Sequence, residues 1–88
     1  MAAASVEYKA SAVSDLDRLD RAVALRILNK IEKSLAEQGA DGEPLSGEFR
    51  GLLRLRAGDS RVIYARTTNG YLVLRIGHRG DVYRRGRH

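Results

Sequence analysis

Eighty-eight residues without a cysteine, with a formal net charge of +5 and a pI near 10.1, describe one small basic domain and exclude disulfides and thiolate metal sites. His78 and His88 have no carboxylates clustered near them, so a histidine zinc site is not expected, and no apolar run approaches the length of a membrane span. Met1-Ala2-Ala3-Ala4 lacks the charged and apolar parts of a signal peptide, which makes the cytoplasm the expected location.

Ser5-Val6-Glu7-Tyr8-Lys9 alternates apolar and polar residues and reads as a short strand. Ser11 is placed to cap a helix running to about Leu19, with Val13, Leu16 and Leu19 on one face. Asp20 can cap a second helix, whose stripe of Val23, Ile27, Leu28, Ile31 and Leu35 reads as core, and Gly39 suits its end. Residues 40–50, with Gly42, Pro44 and Gly47, form a connector.

Beyond the connector the period changes from 3.6 to 2. Gly51 to Ala57 sets Leu53 and Leu55 against Leu52, Arg54 and Arg56; Gly58-Asp59-Ser60 is turn-forming; Arg61 to Arg66 and Tyr71 to Ile76 are two further strands joined through Asn69-Gly70. The order β-α-α-β-β-β describes an α+β domain, a helical hairpin packed on a mainly antiparallel sheet, over residues 1–88 with a basic tail from about 84 to 88.

A two-residue Asn69-Gly70 loop predicts a register. Thr68 would face Tyr71, Ile63 would oppose Ile76 and Ala65 would oppose Leu74, making the helix-facing side. Tyr64 opposite Arg75 and Arg66 opposite Val73 would make the outer face, joined by Arg54 and Arg56. Such a tyrosine-interleaved arginine face suits nucleic acid. Arg61 shares parity with Ile63, so it would point toward the helices unless it lies at the rim or a bulge re-aims it. His78 would face the helices with Ile76, as a structural residue.

Charge is divided unevenly. Residues 45–88 hold ten arginines, no lysine and three acidic residues, a net +7; residues 1–44 hold six basic and eight acidic residues, a net −2. Arginine without lysine points to planar, bidentate recognition of phosphate or carboxylate rather than to a diffuse basic surface.

Pro44-Leu45 with Gly47, the run Leu53-Arg54-Leu55-Arg56-Ala57-Gly58-Asp59-Ser60-Arg61-Val62-Ile63-Tyr64, and the ending Gly77-His78-Arg79-Gly80-Asp81-Val82-Tyr83 together resemble the RelE/ParE toxin superfamily over nearly the whole chain. Tyr83 favours the RelE-like branch. That resemblance implies a type II toxin–antitoxin toxin that cleaves mRNA in the ribosomal A site without metal or other cofactor. The alternatives are a ParE-like inhibitor of DNA gyrase and a degenerate toxin that only binds its antitoxin. Matched to the RelE pattern, Arg54, Arg61, Arg79 and Tyr83 are the implied catalytic set, although Leu52 stands where a well-studied member has lysine. The implied partners are an acidic, partly disordered antitoxin, the ribosome with its rRNA and mRNA, and operator DNA only through the antitoxin complex, with no membrane.

RNA cleavage by its own 2′-hydroxyl requires a proton acceptor, stabilised charge on phosphorus and a proton for the leaving 5′-oxygen. No carboxylate or histidine pair suited to both transfers is evident in the sequence, and arginine, with a pKa above about 12, is a poor base. Fixed guanidinium groups can stabilise the developing charge. Arg61 and Arg79 are therefore assigned to the phosphate, Arg54 to added charge and Tyr83 to stacking or proton transfer. Arg61 pairing with Asp59 or Asp81, and Tyr83 packing under the tail, are the structural alternatives. Arg56, Arg66, Arg75, Arg84 and Arg85 are assigned to RNA backbone.

Overall fold

In the computed structural model, residues 5–37 and 42–78 are described, the last of them by its main chain only. Gly39, Arg79, Tyr83, Arg84 and Arg85 lie outside the described residues. The elements are β1 (Ser5–Tyr8), α1 (Ala10–Asp17), α2 (Arg21–Ile31) continuing into a π-helical turn (Glu32–Glu37), β2 (Glu43–Pro44), a 3₁₀ turn (Gly47–Phe49), β3 (Leu53–Ala57), β4 (Ser60–Arg66) and β5 (Gly70–His78). The sheet order is β1-β5-β4-β3-β2, with β1 parallel to β5 and the other pairs antiparallel. Two helices on a mostly antiparallel sheet are the expected α+β fold, enlarged by the short β2. No described helix is long and apolar enough to cross a membrane.

The stripe of α2 does what its spacing implies. Ile27, Ile31 and Leu35 are fully buried, and they meet Ala12 of α1 and Leu53, Val62, Tyr64, Tyr71, Val73 and Ile76 of the sheet in one core. The first helix departs from expectation. It starts at Ala10 with Lys9 at the N-cap and no side-chain cap bond, and Val13 is 46% exposed while Ala12 and Asp15 are buried. Ser11 lies inside the helix, where its hydroxyl donates to the Leu74 carbonyl at 2.7 Å.

That hydroxyl is part of a hand-over along the β5 edge. Main-chain bonding to β5 continues as far as Lys9 N–H to Val73 O, 2.9 Å. Beyond it, α1 takes over with side chains spaced one helical turn apart: Ser11 on the Leu74 carbonyl, then Asp15 on the Ile76 N–H at 2.9 Å. Asp15 also receives the Arg75 guanidinium in a two-bond fork, 2.9 and 3.0 Å. A sheet edge that would otherwise expose unpaired main-chain groups is closed by polar side chains from a helix.

The β4–β5 register corrects the sequence reading. Asn69-Gly70 is not a two-residue loop: Arg66 pairs with Tyr71, and Thr67 N–H donates to Gly70 O at 2.8 Å. The tight turn needs positive φ at both loop positions, and no described non-glycine residue adopts it. Gly70 serves a different purpose, since a Cβ there would overlap the Ser5 main chain of β1. Further along, Val62 pairs with Ile76 and Ile63 with Arg75, with a bulge between Ile63 and Tyr64 that leaves Leu74 as the extra residue.

Faces are reversed accordingly. Val62 and Tyr64 point into the helix-side core, while Ile63 and Ala65 alternate to the other side. Tyr64 is therefore a core residue, and Arg66, two residues on, shares its parity and lies at the far end of β4. The reason is that Val62-Ile63-Tyr64-Ala65 is apolar at every position, so alternation alone could not orient it. The β3–β4 turn is as expected: Ala57 pairs with Ser60, and Gly58 opens the loop at φ +64°.

Tyr8 is the one core-facing residue of β1 with a perturbed acidity. Burial, with a smaller contribution from Glu32, holds its phenol above the usual 10.0. The folded state thus favours the neutral phenol, and the stability this contributes is present below pH 10 and lost as pH rises through the folded value. Alkaline unfolding followed by circular dichroism should steepen above about pH 10, and Tyr8→Phe should remove that component. An unchanged alkaline limb in Tyr8→Phe would contradict the assignment.

Candidate functional site

The sheet face away from the helices carries three of the candidate arginines. Arg54 and Arg56 are two apart on β3, so both project to that face, and Arg61 on β4 is the cross-strand partner of Arg56. The parity problem therefore resolves without recourse to the rim: Ile63 itself faces outward, and Arg61 goes with it. Arg61 is only 7% exposed. Its Nη1 donates to the Ser60 carbonyl at 3.2 Å, and no other partner holds its guanidinium among the described residues. The expected alternative of an Asp59 pair is not formed.

The face also carries a carboxylate that the sequence did not reveal. Glu43 of β2 pairs in register with Arg54. Its Oε2 accepts a hydrogen bond from Arg54 Nη2 at 2.9 Å, and its Oε1 lies 3.8 Å from Arg56 Nε. Glu43 and Arg56 are well exposed, so the pairing adds little to stability. Its consequence is geometric: one carboxylate is held between two guanidinium groups, on the face to which Arg61 also belongs. Only the register of a two-residue strand places it there, and a two-residue strand has no period to read.

The remaining candidates separate from this cluster. Arg75 is committed to the buried Asp15, so its fork is used within the fold. Arg66 is exposed at the opposite end of β4. Asp15 did leave a sequence signal: a carboxylate one turn after Ser11, flanked by Ala12, Leu16 and Leu19 on the buried side of a helix.

A guanidinium cluster of this kind can grip phosphate oxygens bidentately, and a carboxylate within it can accept a proton. A family model described as the ParE toxin of a type II toxin–antitoxin system, parDE, matches residues 6–83. The chain belongs to this toxin family. As a member of the RelE/ParE superfamily it also has solved structural relatives. The toxin–antitoxin complex RelBE2 from Mycobacterium tuberculosis contains a chain that superposes with a TM-score of 0.79 at 24% identity, covering 88% of this toxin and 99% of that chain. The RelB–RelE antitoxin–toxin complex from Methanococcus jannaschii gives 0.66 at 19% identity, over 90% and 96%. A conserved hypothetical protein from Helicobacter pylori gives 0.63 at 20%, over 85% and 93%. No curated protein matches the sequence of the toxin. At these identities the likeness is one of fold.

Proposed function

We propose that this toxin stops translation by cutting mRNA on the ribosome, with the outer sheet face as its active site. The observation that carries the reading is the Glu43 carboxylate held by Arg54 and Arg56, on the sheet face where Arg61 is the cross-strand partner of Arg56. Glu43 accepts the proton from the 2′-hydroxyl, and Arg54 holds that carboxylate in place. The 2′-oxygen then attacks phosphorus, the bond to the 5′-oxygen breaks, and that oxygen takes a proton from Tyr83 or water, leaving a 2′,3′-cyclic phosphate and a 5′-hydroxyl. Arg61 and Arg56 stabilise the charge that develops on the phosphate oxygens, Arg61 most strongly because it is largely shielded from water. Arg79 and Tyr83 complete the set by their match to the RelE pattern, Arg79 on the phosphate and Tyr83 on a base or on the leaving oxygen. Arg66, Arg84 and Arg85 add contacts to RNA backbone.

The natural partner of such a toxin is a cognate antitoxin. An acidic, partly disordered chain that folds on binding would cover the arginine face and neutralise it, and operator DNA would be reached only through that complex. The reaction would take place in the cytoplasm, where translating ribosomes are.

A second reading follows from the family model itself, which is that of the ParE toxin. On that reading the toxin binds DNA gyrase and is not a nuclease. Inducing the toxin without its antitoxin separates the two. Cleavage predicts an immediate halt in amino-acid incorporation, with new mRNA 5′ ends inside coding regions. A DNA-damage response with protein synthesis initially intact would overturn the nuclease reading in favour of the gyrase one.

A further inference from the structure

Tyr64 lies on the wrong side of the sheet to touch a substrate. Its side chain is fully buried, edge-on to Tyr71 with ring centroids 5.6 Å apart and planes at 77°. A phenylalanine would fill that space equally well, so the hydroxyl requires its own explanation. It accepts a hydrogen bond from the main-chain N–H of Gly42. Gly42 immediately precedes Glu43, the carboxylate held between Arg54 and Arg56.

The segment needs that anchor. A two-residue β2 makes too short a ladder to fix its own register, and among the described residues a further main-chain tie, Leu45 N–H to Leu52 O at 3.0 Å, lies on the far side of Glu43. On the near side, the Tyr64 phenol supplies the matching restraint. The fit there is close: a Cβ on Gly42 would overlap the Arg54 carbonyl and stand 3.2 Å from the Tyr64 hydroxyl. Gly42 is thus pressed against the same residue whose side chain holds Glu43.

We propose that Tyr64 is a positioning residue for the arginine face: its phenol fixes Gly42 from the core, and through Gly42 sets the Glu43 carboxylate against Arg54 and Arg56. The catalytic consequence rests on the nuclease reading, whereas the positioning itself does not. The core and the site are linked through one hydrogen bond that crosses from one face of the sheet to its edge. Small displacements of a proton acceptor have large effects on rate, so loss of the bond should appear in turnover more than in binding.

Tyr64→Phe is the direct test, with Gly42→Ala approaching the same link from the other side. In Tyr64→Phe, exchange of the Gly42 amide proton should accelerate by about tenfold or more, and single-turnover cleavage on programmed ribosomes should fall about tenfold with ribosome affinity unchanged. Combined with Glu43→Gln, Tyr64→Phe should add no further loss, because the two act through one group. Gly42→Ala should reproduce the kinetic defect in a protein whose Tyr64 is intact. Unaltered Gly42 exchange in Tyr64→Phe would overturn the positioning role even if the toxin cleaves mRNA. Fully additive losses with Glu43→Gln would overturn it as well. Conversely, accelerated Gly42 exchange in a toxin whose wild type cuts no mRNA would uphold the positioning and remove the nuclease reading.

Discussion

Asp15→Ala is expected to cost about 3 kcal/mol of folding stability, a large share of what a small domain possesses. Asp15 is 3% exposed, and the hydrogen bonds it accepts include two from Arg75 and one from the Ile76 main chain. Its removal leaves a partly buried guanidinium without its counter-charge and a main-chain N–H without its acceptor. The upper values known for a broken buried pair do not apply in full, because the Arg75 side chain is 24% exposed and water can reach it. In a domain of this size about 3 kcal/mol corresponds to a fall in Tm of about 12–24 °C. Asp15→Asn keeps the shape and one acceptor for Ile76, so its cost should be smaller, about 1–2 kcal/mol. Thermal unfolding of both variants checks the order. An Asp15→Ala protein within about 0.5 kcal/mol of wild type would contradict the hand-over of the β5 edge from β1 to α1.

The second large effect is on activity. Arg61→Ala should reduce single-turnover mRNA cleavage by about two to three orders of magnitude, the range for removing one well-placed donor to a developing oxyanion. Arg61 is opposite Arg56, shielded from water, and hydrogen-bonded among the described residues only to the Ser60 carbonyl, so its fork is available to a phosphate. Arg61→Lys keeps the charge and loses the planar fork; it should recover only a small part of the loss. Arg56→Ala, at a well-exposed position, should show a much smaller defect that fades as salt is raised. Equal losses for Arg56→Ala and Arg61→Ala would show that the face works by bulk charge and not by fixed geometry.

Much of this fold was legible from residue order, and the failures have physical causes. The α2 stripe was readable because Ile27, Ile31 and Leu35 alternate with charged residues at helical spacing. The β3 strand was readable because leucine and arginine alternate, and it correctly put Arg54 and Arg56 on one face. β4 was misoriented because four successive apolar residues carry no alternation, and the register was then taken from a turn that does not form. Gly70 is explained by its approach to Ser5, a contact between opposite ends of the chain that no local pattern encodes. For Arg61 the strand parity left the side open, and the observed register sets it on the outer face with Ile63.

The candidate site was legible in its cations and not in its anion. Ten arginines without lysine point to phosphate or carboxylate recognition, and three of them, Arg54, Arg56 and Arg61, share one face of the sheet. Glu43 gave no such signal, since it stands in a glycine- and proline-containing connector where an acidic residue is unremarkable. Its meaning comes from one pair of register partners, Glu43 with Arg54. The fold brings a carboxylate to the arginine face from the segment that looked least structured. Arg79 and Tyr83 lie outside the described residues and keep the roles that their pattern suggests.

The central claim is that the outer face of the sheet cuts mRNA and depends on the ribosome to present it. It is tested most directly by incubating the purified wild-type toxin with a defined mRNA, free or held in the A site of purified ribosomes, and mapping the 5′ ends formed. The account predicts cuts within the A-site codon, with a 2′,3′-cyclic phosphate on the upstream fragment, at a rate far above that on free mRNA and strongly reduced, though still measurable in single turnover, with Glu43→Gln or Arg61→Ala. Intact mRNA on ribosomes with the wild-type toxin, or cleavage undiminished in both variants, would contradict it.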